Sequence, residues 1–171
     1  MPRNRHDPAK NLVGFLVGDV EYAVAITRVK EIANPLVIAA LPHAPPSVVG
    51  VADYRGEVVP VVDLRIRFGL APAPLTRKTK WIVVEVSGHH LALIVDAVTD
   101  VFGTGGAELR PAPALGGGNE ARGVAGVANH GKGLVFVLDT ARLRDILEPL
   151  ATSGKIGATA PPHALPPRAG P

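Results

Sequence analysis

The sequence predicts an all-β protein built from two similar β units, with a helical segment at its C-terminal end. Three observations carry this. Nineteen glycines and seventeen prolines among 171 residues, beside one tryptophan and four phenylalanines, describe many short strands and turns around cores of Val, Leu, Ile and Ala. Pairs of apolar runs flank two-residue turns, which is the pattern of β-hairpins. The elements of the first half also recur in the same order in the second.

In chain order, Phe15-Leu16-Val17 and Tyr22-Ala23-Val24-Ala25-Ile26 flank Gly18-Asp19 as a first hairpin, followed by Val29-Lys30-Glu31-Ile32. Next comes Val49-Gly50-Val51, then the turn Asp53-Tyr54-Arg55-Gly56 and the β-branched strand Val58-Val59-Pro60-Val61-Val62-Asp63. Pro60 cannot donate a ladder hydrogen bond and is expected at an edge, a bulge or a strand end. A second hairpin pairs Val83-Val84-Glu85-Val86 with Leu91-Ala92-Leu93-Ile94-Val95 across Ser87-Gly88, and Val98-Thr99-Asp100-Val101 follows it. Ala125-Gly126-Val127 and Leu134-Val135-Phe136-Val137-Leu138-Asp139 then echo Val49-Gly50-Val51 and the run ending at Asp63 at one shared offset. Asp63 and Asp139 each stand before a segment able to form a helical turn, where a carboxylate accepts hydrogen bonds from unpaired amides. Leu143, Ile146, Leu147 and Leu150 share one helical stripe suited to packing on a barrel.

The folded unit is expected over 11–150, with halves near 11–75 and 80–150 between which strands could be exchanged. Residues 1–10 and 151–171, rich in Pro, Ala and Gly without periodicity, read as disordered tails. The polar N-terminus leads into no apolar signal core, and no run reaches the roughly 18 apolar residues of a membrane span, so a cytoplasmic protein without membrane insertion is expected.

Composition excludes several chemistries. With no cysteine there is no disulfide, thiolate metal site or cysteine nucleophile. Ser47, Ser87 and Ser153 are the only serines, and none lies in a Gly-x-Ser-x-Gly elbow. The glycine runs at 103–106 and 116–118 lack the Gly-Lys-Ser/Thr exit of a phosphate loop. His89-His90 are neighbours that point to opposite faces of a strand and fit a solvent-facing hairpin turn, while His43 and His130 sit apart among loop residues. Asp96 and Asp100 read as caps and turns. No catalytic residue, metal ligand or cofactor is assigned. The net charge of +3 and pI near 9.5 leave a nucleic-acid-binding double β-barrel as the alternative, but the basic residues are scattered, the densest group being Arg77, Lys78 and Lys80.

The turn Asp53-Tyr54-Arg55-Gly56 is the most specific feature. Its glycine lets the backbone fold back tightly and sets Arg55 on the surface, either as an interface anchor or as a tie to a carboxylate such as Glu31 or Glu57. Trp81 could be core or an exposed anchor.

Taken in order, these pieces resemble the CheW family of chemotaxis coupling proteins over about Leu12 to Glu148. The opening hairpin through Ile32, the proline-rich approach Leu41 to Val51, the run Pro60 to Arg65, Ile94 to Val101 and Leu109 to Pro113 all match family segments. The family's Asn-Leu-Arg-Gly becomes Asp53-Tyr54-Arg55-Gly56, adding a charge and a ring beside the arginine. The details of this turn and the Ala/Pro/Gly bias also resemble FrzA-type couplers of gliding bacteria. The resemblance implies two small five-stranded SH3-like barrels packed together with a C-terminal helix, and a stand-alone adaptor without enzymatic activity. It implies a receptor-binding groove of Val29, Glu31, Ile32, Arg55, Val98 and Val101, and kinase contacts near Gly50, Asp53 and Gly56. The implied partners are the cytoplasmic tip of methyl-accepting chemoreceptors and the regulatory domain of a CheA-type histidine kinase, met at receptor arrays.

Overall fold

Among the described residues, ten strands sort into two five-stranded sheets whose membership departs from the order in which the chain supplies them. The computed structural model describes residues 10–104, 109–112, 123–131 and 133–147. The expected tails, Lys10 apart, lie outside the described residues, as do Leu150, Gly105-Gly106 and the glycines at 116–118. The strands are β1 (Leu12–Val17), β2 (Val20–Ala25), β3 (Val29–Ala33), β4 (Val48–Tyr54), β5 (Glu57–Asp63), β6 (Lys80–Val86), β7 (His89–Val95), β8 (Ala97–Phe102), β9 (Val124–His130) and β10 (Gly133–Leu138), with a short helix α1 (Leu64–Arg67) after β5. Sheet A has the order β8-β1-β2-β10-β9 and sheet B the order β3-β6-β7-β5-β4.

The two orders correspond position by position. Hairpin β1–β2 occupies in sheet A the place that hairpin β6–β7 occupies in sheet B, so each half of the sequence lends its first hairpin to the sheet of the other half. The exchange is sealed by two parallel pairings, β2 with β10 and β5 with β7. Side chains also bridge the two edge strands of each sheet. In sheet B, Glu31 on edge strand β3 bonds to Tyr54 and Arg55 at the end of edge strand β4. In sheet A, His130 of edge strand β9 reaches Asp100 of edge strand β8. Single backbone bridges from Ala39 to Val51 and from Arg110 to Val127 partly cover the outer edges of β4 and β9.

Alternation along the strands produces three cores rather than two. Ala52, Tyr54, Val59, Val61, Trp81, Val83 and Ala92 pack within sheet B, and Leu12, Ala23, Ala128, Val135 and Val137 within sheet A. The opposite faces of the central strands, including Phe15, Tyr22, Val24, Ile82, Val84, Leu91 and Leu93, meet in a larger cluster shared by both barrels. That shared cluster explains why β6 and β7 read as nearly continuous apolar runs: both of their faces are buried. Leu143, Ile146 and Leu147 of the C-terminal helical segment cover the same cluster, on the stripe the sequence predicts. Trp81 is core, 1% exposed.

Local chemistry fixes the joints. Asp63 accepts the Arg65 amide at 2.9 Å and Asp139 accepts the Ala141 amide at 3.0 Å, so both are helix caps. Asp96 does more than turn the chain. Its carboxylate takes the Gly18 amide of the sheet A hairpin at 2.7 Å and the Arg65 Nε at 2.9 Å, tying the first hairpin to α1.

Pro60 corrects an expectation, for it lies inside β5, which is neither an edge strand nor bulged at that point. Its partner Val51 turns its own amide and carbonyl away from β5, toward Ala39. The imide nitrogen of Pro60 therefore faces β7, where parallel pairing begins only at Val61, and no ladder bond is lost.

Candidate functional site

The β4–β5 hairpin turns on two residues, Arg55 and Gly56, with φ of 51° and 84°. Positive φ at both central positions defines a type I′ turn, whose twist matches the flanking strands. Glycine accepts it freely, but for arginine the left-handed conformation costs roughly 1–2 kcal/mol. Two contacts offset this cost. Asp53 accepts the Gly56 amide at 2.8 Å, and the Arg55 Nη2 donates to Glu31 at 3.0 Å. The arginine side chain is nonetheless 70% exposed, so tether and presentation coexist in one residue.

Tyr54 organises this corner from below. Its ring packs in the sheet B core, its hydroxyl donates to Glu31 Oε2, and its face lies 5.6 Å from the Arg55 guanidinium carbon. His90 meets the ring edge-on at 6.4 Å between centroids, and its Nδ1 lies 2.7 Å from Glu57 Oε2. The Tyr54 hydrogen bond, helped by the charge of Arg55, holds the Glu31 carboxyl below the usual range, while the same bond raises the Tyr54 phenol.

The structure gathers Glu31, Asp53, Arg55 and Gly56 at this corner. Ile32 stands beside Glu31 on β3 with its side chain exposed. Val98 and Val101 lie on β8 of the other sheet; Val29 and Val98 both pack against the shared cluster, whereas Val101 faces solvent. Gly50 has a structural reason for its identity. A Cβ there would lie 2.2 Å from the Ala39 carbonyl oxygen, because the segment before β4 crosses directly over it and pairs with Val51. Gly126 repeats the arrangement beneath Arg110, which pairs with Val127.

Two histidine readings change. The hairpin turn is Ser87-Gly88, so His89 and His90 open β7, and His90 is tied to Glu57 rather than free in solvent. His130 ends β9 instead of sitting in a loop, with Nδ1 at 2.6 Å from Glu21, Nε2 at 3.2 Å from Asp100, and its ring stacked on Phe102 at 3.8 Å. The bond to Glu21, with the Asp100 charge, raises its pKa. Local spacing gave no sign of this cluster. The internal echo did contain it, since the register that aligns Gly50 with Gly126 aligns Tyr54 with His130, and the neighbouring echo aligns Glu31 with Asp100. Among the described residues no group of three or more His, Asp or Glu side chains is arranged to hold a metal ion.

Two five-stranded sheets packed on one shared core, with a polar corner that presents an arginine, define the class of fold to which the chain belongs. The chain belongs to the family described as CheW-like domain, which matches residues 11–147. It is 36% identical over 121 residues to the chemotaxis protein CheW of Rhizobium meliloti, covering 69% of this chain and 78% of that one. The probable chemotaxis protein CheW of Rhizobium etli is 32% identical over 130 residues, covering 76% and 84%. Protein FrzA of Myxococcus xanthus is 31% identical over 121 residues, covering 70% and 74%, so the FrzA-type resemblance stands alongside the others and not above them. Among solved structures, the scaffolding protein TtCheW of Thermoanaerobacter tengcongensis superposes with a TM-score of 0.70 at 27% identity, over 77% of this chain and 89% of that one. The family is one of scaffolds, not enzymes. No helix among the described residues is long and apolar enough to cross a membrane.

Proposed function

We propose that this chain is a cytoplasmic adaptor that couples chemoreceptor cytoplasmic tips to the regulatory domain of a CheA-type histidine kinase at receptor arrays. The observation that carries the reading is the corner itself: an arginine held in a left-handed turn, tethered by one amino group and still largely exposed. Arginine in such a setting is a frequent interface hot spot because little conformational entropy remains to be lost on binding. The receptor tip engages Arg55, Glu31 and Ile32, with Val29, Val98 and Val101 continuing the groove, while Asp53, Gly56 and the Gly50 crossing lie toward the kinase. Coupling then follows from the shared core, which lets two partners bind one rigid body. Arg65, Arg67 and Arg142 are paired with Asp96, Asp145 and Asp139 and so do not present free charge to the backbone of a nucleic acid, which favours a protein partner.

Calorimetric titration with a receptor tip fragment and, separately, with the kinase regulatory domain tests the reading. Micromolar binding to both is expected, with Arg55→Ala weakening the receptor about tenfold or more and leaving the kinase unchanged. Absence of binding to either partner overturns it.

A further inference from the structure

We propose that Tyr54 is a positioning residue for partner recognition: its phenolic hydroxyl fixes Glu31, and Glu31 in turn fixes the direction in which Arg55 presents its guanidinium. The inference rests on the receptor-binding reading of the Arg55 corner and adds to it the residue that sets the geometry.

Three contacts converge on one ring. The hydroxyl donates to Glu31 Oε2, the ring face lies under Arg55 at 5.6 Å, and the ring edge meets His90. Because the ring is 5% exposed and packed among Val59, Val61, Trp81 and Val83, its hydroxyl is a fixed point, unlike the ends of the glutamate and arginine side chains. Both partners meet on the one Glu31 carboxylate: Tyr54 holds Oε2, and the Arg55 Nη2 lies 3.0 Å from Oε1 and from Oε2, so the held carboxylate sets where that amino group sits. Among the described residues, the hydrogen bonds of Arg55 all leave from Nη2. The remaining N–H edge of the guanidinium is then available to a partner, in an orientation inherited from the barrel core through a chain of two hydrogen bonds.

Without the hydroxyl, Glu31 keeps only a bond to a mobile arginine, and both long side chains regain rotamer freedom. That freedom must be given up on binding. A leucine at this position would fill the core and leave the carboxylate unheld. Tyr54 thus trades a purely apolar core contact for control of a surface cation.

Tyr54→Phe removes the hydroxyl and keeps the ring. Its receptor-fragment affinity is expected to fall about fivefold, with kinase-domain affinity and the melting midpoint retained. In an Arg55→Ala background the same substitution is expected to change receptor affinity by less than about twofold, since the residue it orients is gone. A loss of receptor affinity that persists in the Arg55→Ala background, or one accompanied by an equal loss of kinase binding, would show a structural role and overturn the proposal. Independently of any partner, the Arg55 side-chain NMR signals should show restricted rotation in the wild type and free averaging in Tyr54→Phe. Restricted signals in both proteins overturn the positioning role. Restriction lost in the variant, in a wild type that binds no receptor fragment, confirms the positioning chain and sinks the receptor reading alone.

Discussion

His130 touches Asp100 across the seam where the two edge strands of sheet A meet, Nε2 to carboxylate at 3.2 Å, as Tyr54 touches Glu31 across the seam of sheet B. Both pairs join an acid on the strand after a hairpin to a ring at the end of the strand that follows the glycine crossing. The two seams therefore share one placement with different chemistry, a carboxylate–imidazole pair in sheet A and a carboxylate–phenol pair in sheet B.

The sheet A seam should weaken with rising pH. The groups facing His130 are Glu21 from β2 and Asp100 from β8, with Phe102 on its ring face, and the bond to Glu21 leads the upward shift of its pKa. A folded-state value above the unfolded one means that the stabilisation is fully present below about pH 6.5 and is lost as pH rises through the folded value. Melting midpoints of the wild type and His130→Gln should differ more at pH 6 than at pH 9; parallel curves would refute the assignment.

Gly50→Ala should cost about 2–3 kcal/mol, and Gly126→Ala about 1 kcal/mol. The first Cβ would stand 2.2 Å from a carbonyl oxygen on a backbone with φ of 155°, the second 2.8 Å from one without the φ penalty. Denaturant midpoints at constant slope measure both. Equal losses would contradict the geometry.

Asp96→Ala should destabilise by about 2 kcal/mol, because the Gly18 amide and the Arg65 guanidinium lose their shared acceptor. Asp96→Asn keeps a carbonyl for one of them and should lose about half as much. Chemical denaturation ranks the two variants, and a larger loss in Asp96→Asn than in Asp96→Ala would show that a carbonyl at this site does not serve as an acceptor for Gly18 or Arg65.

Val61→Asp places a carboxylate at a position with 0% exposure inside sheet B, at a cost of several kcal/mol. Loss of cooperative melting by circular dichroism is expected. An unchanged melting point would mean that β5 is not packed as described.

What local pattern encodes was legible in the sequence. Gly18-Asp19 and Ser87-Gly88 do turn hairpins, Asp63 and Asp139 do cap, and the 143–147 stripe does pack inward. What long-range pairing decides was not. The parallel partnership of Val61 with Ala92 leaves no trace in the periodicity of either strand, so the lending of hairpins between halves was open. For the same reason the expectation of an edge, a bulge or a strand end for Pro60 fails, since the one-sided gap beside it depends on where β7 begins. The Arg55 turn was legible as a presenting device: of its two alternatives the tether to Glu31 is observed, and the side chain stays exposed enough that the tether does not exclude an anchor. Tyr54 looked like a departure from a family pattern, and its hydroxyl became meaningful only once β3 was folded across to meet it.

Sheet B draws all its strands from one uninterrupted stretch, 29–95, whereas sheet A is built from the pieces on either side of that stretch. On the ribosome, therefore, the barrel that carries Arg55 can be finished while the other still lacks the three strands β8, β9 and β10. Until those strands emerge, the waiting hairpin β1–β2 has only the completed barrel to lean on, and its apolar face is already shaped to that surface. The nested order thus lets a nascent chain complete the first barrel, and offer it as a template to the second, before the last strand is made.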